Sequence, residues 1–210
     1  RREKEEKERR RQERLNYPVP EWLIRYVKDV EDLHGDKKYI NVGIVGSSGV
    51  GKSKFINSIR GYQKKTDAPT EAEWAEVGVK ETTMIPTPFE GNKFDINNGD
   101  SVGERIIQLW DLPGVGTPRF PSEEYFKTVG LRHFDVVLIM SSTRFTENDL
   151  MLKEELMRVK LPFFFIRTKI DIDVENNSDD HDIEEAKTLH QIRHDLLKQG
   201  IMNPFLVSSK

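Results

Sequence analysis

Cysteine is absent from the 210 residues of this chain, which excludes disulfide bonds and cysteine-ligated zinc and favours a reducing compartment. Long hydrophobic runs are lacking too. The longest apolar runs, such as residues 136–140, are short, whereas a membrane-spanning helix needs about 20 residues. With 36% hydrophobic and 33% charged residues, we do not expect a membrane-embedded chain. The length nevertheless suffices for one large domain with a sizeable core.

A strong excess of one charge is also missing, because the formal net charge is only −3. The first 14 residues hold eight Lys or Arg and five Glu, a net +3, so the remaining chain carries −6. That mildly acidic body lacks the basic footprint of a duplex nucleic-acid binder, and we expect no nucleic-acid partner. The first 14 residues form a charged arm with two possible roles. It is a solvated helix or linker, an interpretation that its interspersed Glu residues favour, or it binds nucleic acid or anionic lipid.

Three parts are predicted along the chain. Residues 1–17 form the charged helical arm or linker. Residues 18–37 contain an amphipathic helix from Glu21 to about His34, which packs on the core or on a helical partner outside this sequence. Residues 38–210 form one α/β domain. Because the chain begins with Arg1 rather than Met, we expect a fragment of a longer protein.

Short apolar runs alternate with helical patterns throughout the third part. Strands are predicted at residues 39–45, 83–89, 105–110, 136–140, 163–166 and 205–207. Helices are predicted at residues 52–60, 123–133, 147–159 and 182–198, and residues 91–103 as a hairpin connection. This alternation predicts an α/β fold, a three-layer sandwich around a mostly parallel six-stranded sheet.

One segment matches G-x-x-x-x-G-K-[ST] in full, directly after the first predicted strand and at the start of a helix. Its glycines allow the backbone to wrap around an anion, and the helix N-terminus adds a positive dipole. We therefore predict a phosphate-binding loop. Its residues are Gly46, Ser47, Ser48, Gly49, Val50, Gly51, Lys52 and Ser53. Lys52 should reach the β- and γ-phosphates, and the Ser53 hydroxyl should bind Mg²⁺.

Further magnesium and phosphate contacts are predicted around the strand that ends at Trp110. Asp111 opens the motif Asp-Leu-Pro-Gly at the strand end, where its carboxylate can hold Mg²⁺ directly or through water. Gly114 can bring its N–H against the γ-phosphate. Thr83, in preference to Thr82, is expected to complete the magnesium coordination when a triphosphate is bound.

A guanine-reading pattern follows the strand at residues 163–166. Thr168, Lys169 and Asp171 form the string T-K-x-D, in which the carboxylate can accept hydrogen bonds from the N1–H and the exocyclic amine of guanine. Ser208, Ser209 and Lys210 follow the last strand at the same sheet edge, and the Ser209 N–H is expected to donate to guanine O6.

Together these motifs resemble a guanine-nucleotide-binding domain of the translation-factor-related P-loop class. Further strings are similar to the immunity-related (interferon-inducible) GTPases. They are residues 78–84 (GVKETTM), 110–116 (WDLPGVG), 120–121 (FP), 141–145 (SSTRF) and 165–171 (FIRTKID). The resemblance covers roughly residues 20–210 and implies GTP and GDP as ligands, Mg²⁺ as cofactor, and hydrolysis of GTP to GDP and phosphate. It also implies that a further helix and a helical domain follow Lys210.

The family resemblance implies GTP-dependent dimerisation or oligomerisation in cell-autonomous defence. It also implies a cytoplasmic location with peripheral attachment to intracellular membranes. A nucleotide-gated assembly module with little turnover is the alternative, since Val115 stands where Ras-like enzymes place a water-orienting Gln. Hydrolysis is therefore expected to be slow in the monomer. Glu81 is a candidate to orient water and Arg144 to stabilise phosphoryl charge across a dimer, with Arg119 as a weaker competitor.

Overall fold

Six strands form a single sheet in the computed structural model, which describes residues 4–5, 8–9, 19–24, 39–78, 85–97, 102–118, 120–181 and 183–208. The strands are β1 (Tyr39–Val45), β2 (Thr87–Asn97), β3 (Val102–Asp111), β4 (Val136–Ser141), β5 (Phe163–Arg167) and β6 (Phe205–Leu206). Their order across the sheet is β2-β3-β1-β4-β5-β6, and only the β2–β3 pair is antiparallel. The predicted α/β fold with a mostly parallel six-stranded sheet is confirmed.

Helices connect the parallel strands and cover the sheet. They are α1 (Glu21–Ile24), α2 (Lys52–Ile59), α3 (Ser122–Thr128), α4 (Glu147–Arg158), α5 (Ile170–His181) and α6 (Glu185–Lys198). Short 3₁₀ turns lie at Lys65–Asp67, Glu71–Glu73 and Leu131–His133. Among the described residues, none of the helices is long and apolar enough to cross a membrane.

The strand register brings the chemistry-bearing loops to one edge. Ile44 of β1 pairs with Asp111 of β3, and Val45 pairs with Ile139 of β4. Because these strands are parallel, the loops after β1, β3, β4 and β5 all leave the sheet at the same end. Ligands of open α/β sheets bind at this end, so the fold itself gathers the motifs found in the sequence.

Two apolar clusters lie on the two faces of the sheet. The larger contains Trp110, whose ring makes an edge contact with Phe134 at a centroid distance of 5.9 Å. The smaller contains Ile44 and Ile56 and anchors α2. Leu23 of α1 is only 1% exposed and belongs to the larger cluster. The segment ahead of the domain therefore contributes to its core at this position.

Several predicted boundaries were wrong. The hairpin predicted around residues 91–103 is present as the antiparallel β2–β3 pair, but its strands are longer than predicted: β2 continues to Asn97 and β3 begins at Val102, with a bulge between Glu90 and Lys93. The helix predicted at residues 123–133 ends at Thr128, where the chain passes through the left-handed Gly130 (φ 67°) into a 3₁₀ turn. Helix α5 was not predicted at all, and α6 begins at Glu185 rather than at residue 182.

Candidate functional site

The loop between β1 and α2 has the backbone that its glycines predict. Gly46, Gly49 and Gly51 have φ of 147°, 79° and 98°, which are values that L side chains rarely adopt. Gly46 also passes so close to β4 that a Cβ there would lie 2.2 Å from the carbonyl oxygen of Met140. The loop then opens directly into α2 at Lys52. This geometry is that of a phosphate-binding loop at a helix N-terminus.

Lys52 folds back over this loop. Its ammonium donates to the carbonyl oxygens of Gly46 and Ser47, each at 3.2 Å, and the residue is only 7% exposed. A buried ammonium held by backbone carbonyls is a fixed positive charge at the mouth of the loop. The prediction that Lys52 serves the phosphates is consistent with this position.

Asp149 is a buried carboxylate that the sequence did not single out. It lies in the first turn of α4, is 1% exposed, and its Oδ2 accepts from the backbone N–H and the hydroxyl of Thr146, both at 2.8 Å. Its Oδ1 is buried without a hydrogen-bond partner among the described residues. Burial raises the pKa of Asp149, while the Thr146 hydrogen bonds and the positive charge of Lys52 act against that rise. The sequence signal available was the capping pattern T-x-x-D, which indicates only a helix start.

A hydroxyl and a carboxylate meet beside Lys52. The Ser53 hydroxyl donates to Oδ2 of Asp111 at 2.5 Å, and Asp111 is 3% exposed. Two hard oxygen donors at this spacing fit the coordination preferences of Mg²⁺, which uses one or two protein oxygens together with phosphate oxygens and water. The described residues contain no group of three or more His, Cys, Asp and Glu arranged for a metal, and a site of this type does not need one.

The loop after Asp111 lies directly against the phosphate loop. A Cβ on Gly114 would lie 3.0 Å from the Ser48 nitrogen, so only glycine permits this approach without a shift. The Val115 N–H donates to the Gly46 carbonyl at 3.4 Å. The Val115 side chain is 3% exposed and packs in the larger apolar cluster. The Val115 side chain is therefore part of the core and is not available to orient an attacking water molecule.

The T-K-x-D segment is fastened to the same loop. The Thr168 hydroxyl donates to the Val50 carbonyl at 2.7 Å, and the Lys169 ammonium donates to the Gly49 carbonyl at 2.9 Å. Lys169 itself has a positive φ of 57°, a strained conformation that its environment must impose. Asp171 follows at the start of α5 and is half-buried. The phosphate and base motifs thus form one connected structure.

The chain after β6 returns to this segment. The Val207 N–H donates to the Arg167 carbonyl at 2.9 Å, and the Val207 carbonyl accepts from the Ile170 N–H at 3.4 Å. Ser208 is exposed next to them. A cavity of about 200 Å³ adjoins Ser208. Its lining residues are Val50, Gly51, Lys54, Phe55, Ser58, Ile59, Thr168, Val207 and Ser208. Parts of the phosphate loop, the T-K-x-D segment and the chain end therefore share one concave surface.

Arg144 lies elsewhere on this edge. It is exposed in the loop after β4 and lines a cleft with Arg167, Asp173 and residues of α5 and α6, to which the phosphate loop contributes nothing. The structure thus brings Lys52, Ser53, Asp111 and Gly114 together but does not add Arg144 to them. The remaining predicted site residues lie outside the described residues; they are Glu81, Thr82, Thr83, Arg119, Ser209 and Lys210.

Comparison with known proteins agrees with this geometry. A family model described as "Interferon-inducible GTPase (IIGP)" matches residues 22–210. Mouse interferon-gamma-inducible GTPase 10 is 37% identical over 83% of this chain, and mouse interferon-inducible GTPase 1 is 33% identical over 83%. The chain spans about two fifths of the length of these relatives, 40% and 41%.

The fold comparison is more distant. Era from Aquifex aeolicus, solved with GDP and aluminium fluoride, aligns with a TM-score of 0.52 at 19% identity, over 81% of this chain and 51% of Era. That likeness shows a shared α/β fold. The family is shown by the sequence match over nearly the whole described domain, and the predicted resemblance is confirmed. This chain therefore belongs to the interferon-inducible, or immunity-related, GTPase family.

Proposed function

We propose that this chain binds GTP and GDP with Mg²⁺ and hydrolyses GTP to GDP and phosphate. One observation carries the proposal: Thr168 and Lys169 of the base-reading segment donate directly to the carbonyls of Val50 and Gly49 in the phosphate loop. A base and a triphosphate are parts of one ligand, and here the residues expected to bind each part are held at hydrogen-bond distance from each other. The relatives, which are named as GTPases, support the same function.

The phosphate half of the site supplies charge and hydrogen-bond donors. The backbone N–H groups of the loop and the α2 N-terminus would bind the phosphates, and Lys52 adds a fixed cation. Ser53 and Asp111 would hold Mg²⁺, with Thr83 expected as the further ligand in the triphosphate state. When bound, the metal ion offsets charge that develops on the phosphate oxygens. Gly114 lies against the same loop, and its N–H is expected to donate a hydrogen bond to a γ-phosphate.

The guanine half is tested by changing Asp171. Asp171→Asn is expected to weaken GTP binding and to improve binding of xanthosine triphosphate, because an amide can donate to the O2 of xanthine. Asp179→Asn, on the exposed side of the same helix α5, is the matched control and should leave both affinities unchanged. Titration calorimetry measures both. Equal competition by ATP and GTP for the wild-type chain would contradict the guanine assignment.

A second candidate function has a specific observation in its favour. Because Val115 is buried in the core, the site has no side chain at the position where Ras-like enzymes orient water. The chain would then act as a nucleotide-gated assembly module in which turnover is incidental. Glu81 and Arg144 are the proposed helpers if turnover is substantial, with Arg144 acting from a second copy.

Turnover per molecule against protein concentration separates these two functions. A rising rate, lowered by Arg144→Ala or Glu81→Ala at saturating GTP, supports catalysis within a dimer. Arg158→Ala is the control, because Arg158 is an exposed arginine at the end of α4 that pairs locally with Glu155. A low rate that is independent of concentration and unaffected by either substitution supports the assembly module. The longest available form of the protein is the proper sample, since this chain spans about two fifths of its relatives.

The biological role follows from the same proposal. We infer a nucleotide switch that dimerises or oligomerises in the GTP state, acts in cell-autonomous defence, and works in the cytoplasm with peripheral attachment to intracellular membranes. Family membership supports the immune role. Analytical ultracentrifugation with a non-hydrolysable GTP analogue and with GDP tests the switch: the same sedimentation coefficient in both states, over a wide range of protein concentration, would contradict it.

A further inference from the structure

Tyr125 is a residue of α3 whose hydroxyl is buried in the core. The residue is 0% exposed, and its ring makes an edge contact with Phe120 at a centroid distance of 6.5 Å. The hydroxyl donates to the carbonyl oxygen of Pro113 at 2.6 Å. The Tyr125 carbonyl accepts from the Val129 N–H at 2.9 Å, so the helix fixes the backbone as well. Tyr125 is therefore held on α3 with its hydroxyl directed at one backbone carbonyl.

The Pro113 carbonyl belongs to the same peptide group as the Gly114 N–H. In a planar trans peptide these two groups point in opposite directions. Because the carbonyl points to Tyr125, the Gly114 N–H points away from α3. Gly114 itself lies against the phosphate loop, where an added Cβ would be 3.0 Å from the Ser48 nitrogen. The Tyr125 hydroxyl thus fixes the orientation of the N–H that is expected to bind the γ-phosphate.

The neighbouring backbone amides of this loop already have partners. The N–H groups of Leu112, Val115 and Gly116 each donate to a backbone carbonyl, at 3.3, 3.4 and 3.0 Å. Pro113 has no N–H. Over residues 112–116, Gly114 carries the N–H that donates to no other residue that the structure describes. This donor is therefore the one in the loop that a ligand can take without breaking a described hydrogen bond.

A Pro-Gly pair does not by itself set the direction of the peptide between its two residues. That peptide can face either way, and one of the two orientations places the glycine at positive φ, which glycine adopts without strain. Gly114 is not in that left-handed region, in contrast to Gly49 and Gly51 of the phosphate loop. Turning the peptide over would remove the hydrogen bond from Tyr125. That bond therefore favours the observed orientation.

The geometry points to Tyr125 as a positioning residue for recognition of the γ-phosphate: its hydroxyl holds the Pro113–Gly114 peptide with the N–H directed away from α3 and available to a triphosphate. This inference rests on the proposed binding of GTP. Tyr125 acts through one peptide group rather than by touching the nucleotide or the metal. The same hydrogen bond polarises the peptide, which strengthens its N–H as a donor. Because GDP has no γ-phosphate, Tyr125 matters for the triphosphate and not for the diphosphate.

The strength of one hydrogen bond sets the size of the effect. A buried neutral hydrogen bond of this kind favours one peptide orientation by roughly twofold to tenfold. Molecules with the other orientation bind the triphosphate only after the peptide turns, so the apparent affinity falls with the fraction that is correctly oriented. We therefore expect loss of the Tyr125 hydroxyl to lower the ratio of triphosphate to diphosphate affinity by roughly twofold to tenfold.

The test is Tyr125→Phe, which removes only the hydroxyl and keeps the ring beside Phe120. Dissociation constants for GDP and for a non-hydrolysable GTP analogue, both with saturating Mg²⁺, are measured by titration calorimetry. The expected result is weaker analogue binding with unchanged GDP binding. Tyr39→Phe is the matched control. It removes the same group at the opposite end of β1 from the phosphate loop, where the hydroxyl donates to the Glu90 carboxylate at 3.1 Å, and it should leave the ratio unchanged.

Gly114→Ala shows whether Tyr125 acts through this peptide. A Cβ at 3.0 Å from the Ser48 nitrogen forces Gly114 away from the phosphate loop and should by itself lower the affinity ratio. Once that approach is lost, adding Tyr125→Phe should change the ratio no further, whereas the effects of independent sites add. A ratio that falls by the same factor in both backgrounds would show that Tyr125 acts elsewhere, and the inference would be overturned.

The outcomes distinguish the role of Tyr125 from the proposed function. Wild-type protein that binds neither guanine nucleotide contradicts the proposed function. Wild-type protein with tight analogue binding, and an unchanged ratio in Tyr125→Phe, overturns the role of Tyr125 alone. An equal loss for both nucleotides also overturns it, since that indicates a purely structural role. A crystal structure of the wild type with the analogue and Mg²⁺ needs no variant, and a Pro113 carbonyl turned away from Tyr125 would refute the inference.

Discussion

Two alanine substitutions in the phosphate loop separate backbone strain from steric overlap. At Gly46, φ is 147° and an added Cβ would lie 2.2 Å from the Met140 carbonyl oxygen. At Gly49, φ is 79° and an added Cβ would meet nothing within 4 Å. The chemical change is the same at both positions, and both lie in the same loop. We expect Gly46→Ala to destabilise the fold much more than Gly49→Ala, because only Gly46 lies against the central sheet.

The magnitudes follow from the two geometries. An L residue in the left-handed region costs about 1–2 kcal/mol, which is the expected loss for Gly49→Ala. Gly46→Ala adds an overlap with a carbonyl of β4 that only a backbone shift can relieve, and overpacking of this kind costs about 1–3 kcal/mol more. The expected loss for Gly46→Ala is therefore about 2–5 kcal/mol. That is a large part of the ~5–15 kcal/mol by which a domain is stable.

Urea unfolding followed by tryptophan fluorescence measures both losses, because Trp110 is buried in the core. The samples must be free of nucleotide, since a ligand that binds only the folded state adds its own binding energy to the result. The free energy of unfolding is compared at equal denaturant dependence. Equal losses for the two variants would refute the argument that the close approach to Met140 makes Gly46 the more demanding position.

Three other outcomes are expected. Lys52→Ala should abolish tight triphosphate binding in calorimetry, because it removes the cation that the loop holds over the Gly46 and Ser47 carbonyls; unchanged affinity would reject the phosphate-loop assignment. Burial raises the pKa of Asp149, so the folded state keeps the carboxyl proton to a higher pH than the unfolded state does. The free energy of unfolding of the wild type should therefore fall as the pH rises from the ordinary Asp pKa through the raised pKa. Asp149→Asn should remove this fall in the free energy of unfolding, measured by urea unfolding from pH 4 to 7. The same pH dependence in the variant and the wild type would contradict the prediction. Leu23→Ala should cost about 2–5 kcal/mol in thermal or urea unfolding, because Leu23 is 1% exposed in the larger cluster; a loss under 1 kcal/mol would show that α1 docks only loosely.

Failures of the sequence reading have identifiable causes. The helix α5 is rich in Asp and Asn, which have low helix propensity, and its apolar face is weak. Its local sequence therefore resembles a loop, and its packing beside α6 stabilises it as a helix. The β2–β3 pair was cut short for a related reason. Its Asn, Gly and Asp residues suggest turns, yet the backbone hydrogen bonds of an antiparallel pair do not depend on apolar side chains.

Local strings next to apolar strands were enough to predict the phosphate loop, the Asp111 motif and the guanine pattern. The alternation of strands and helices predicted the α/β sheet, and the motifs together predicted the family; the fold and the family are confirmed. β1 was predicted with both of its boundaries correct, since a run that is apolar apart from Asn41, between Lys38 and the glycine-rich loop, leaves little choice. Contacts between residues far apart in the sequence could not be predicted from these patterns. The Thr168 hydroxyl reaches the Val50 carbonyl, and Asp149 is buried near Lys52, because of the strand order and register. Those are set by packing over the whole chain rather than by any local pattern.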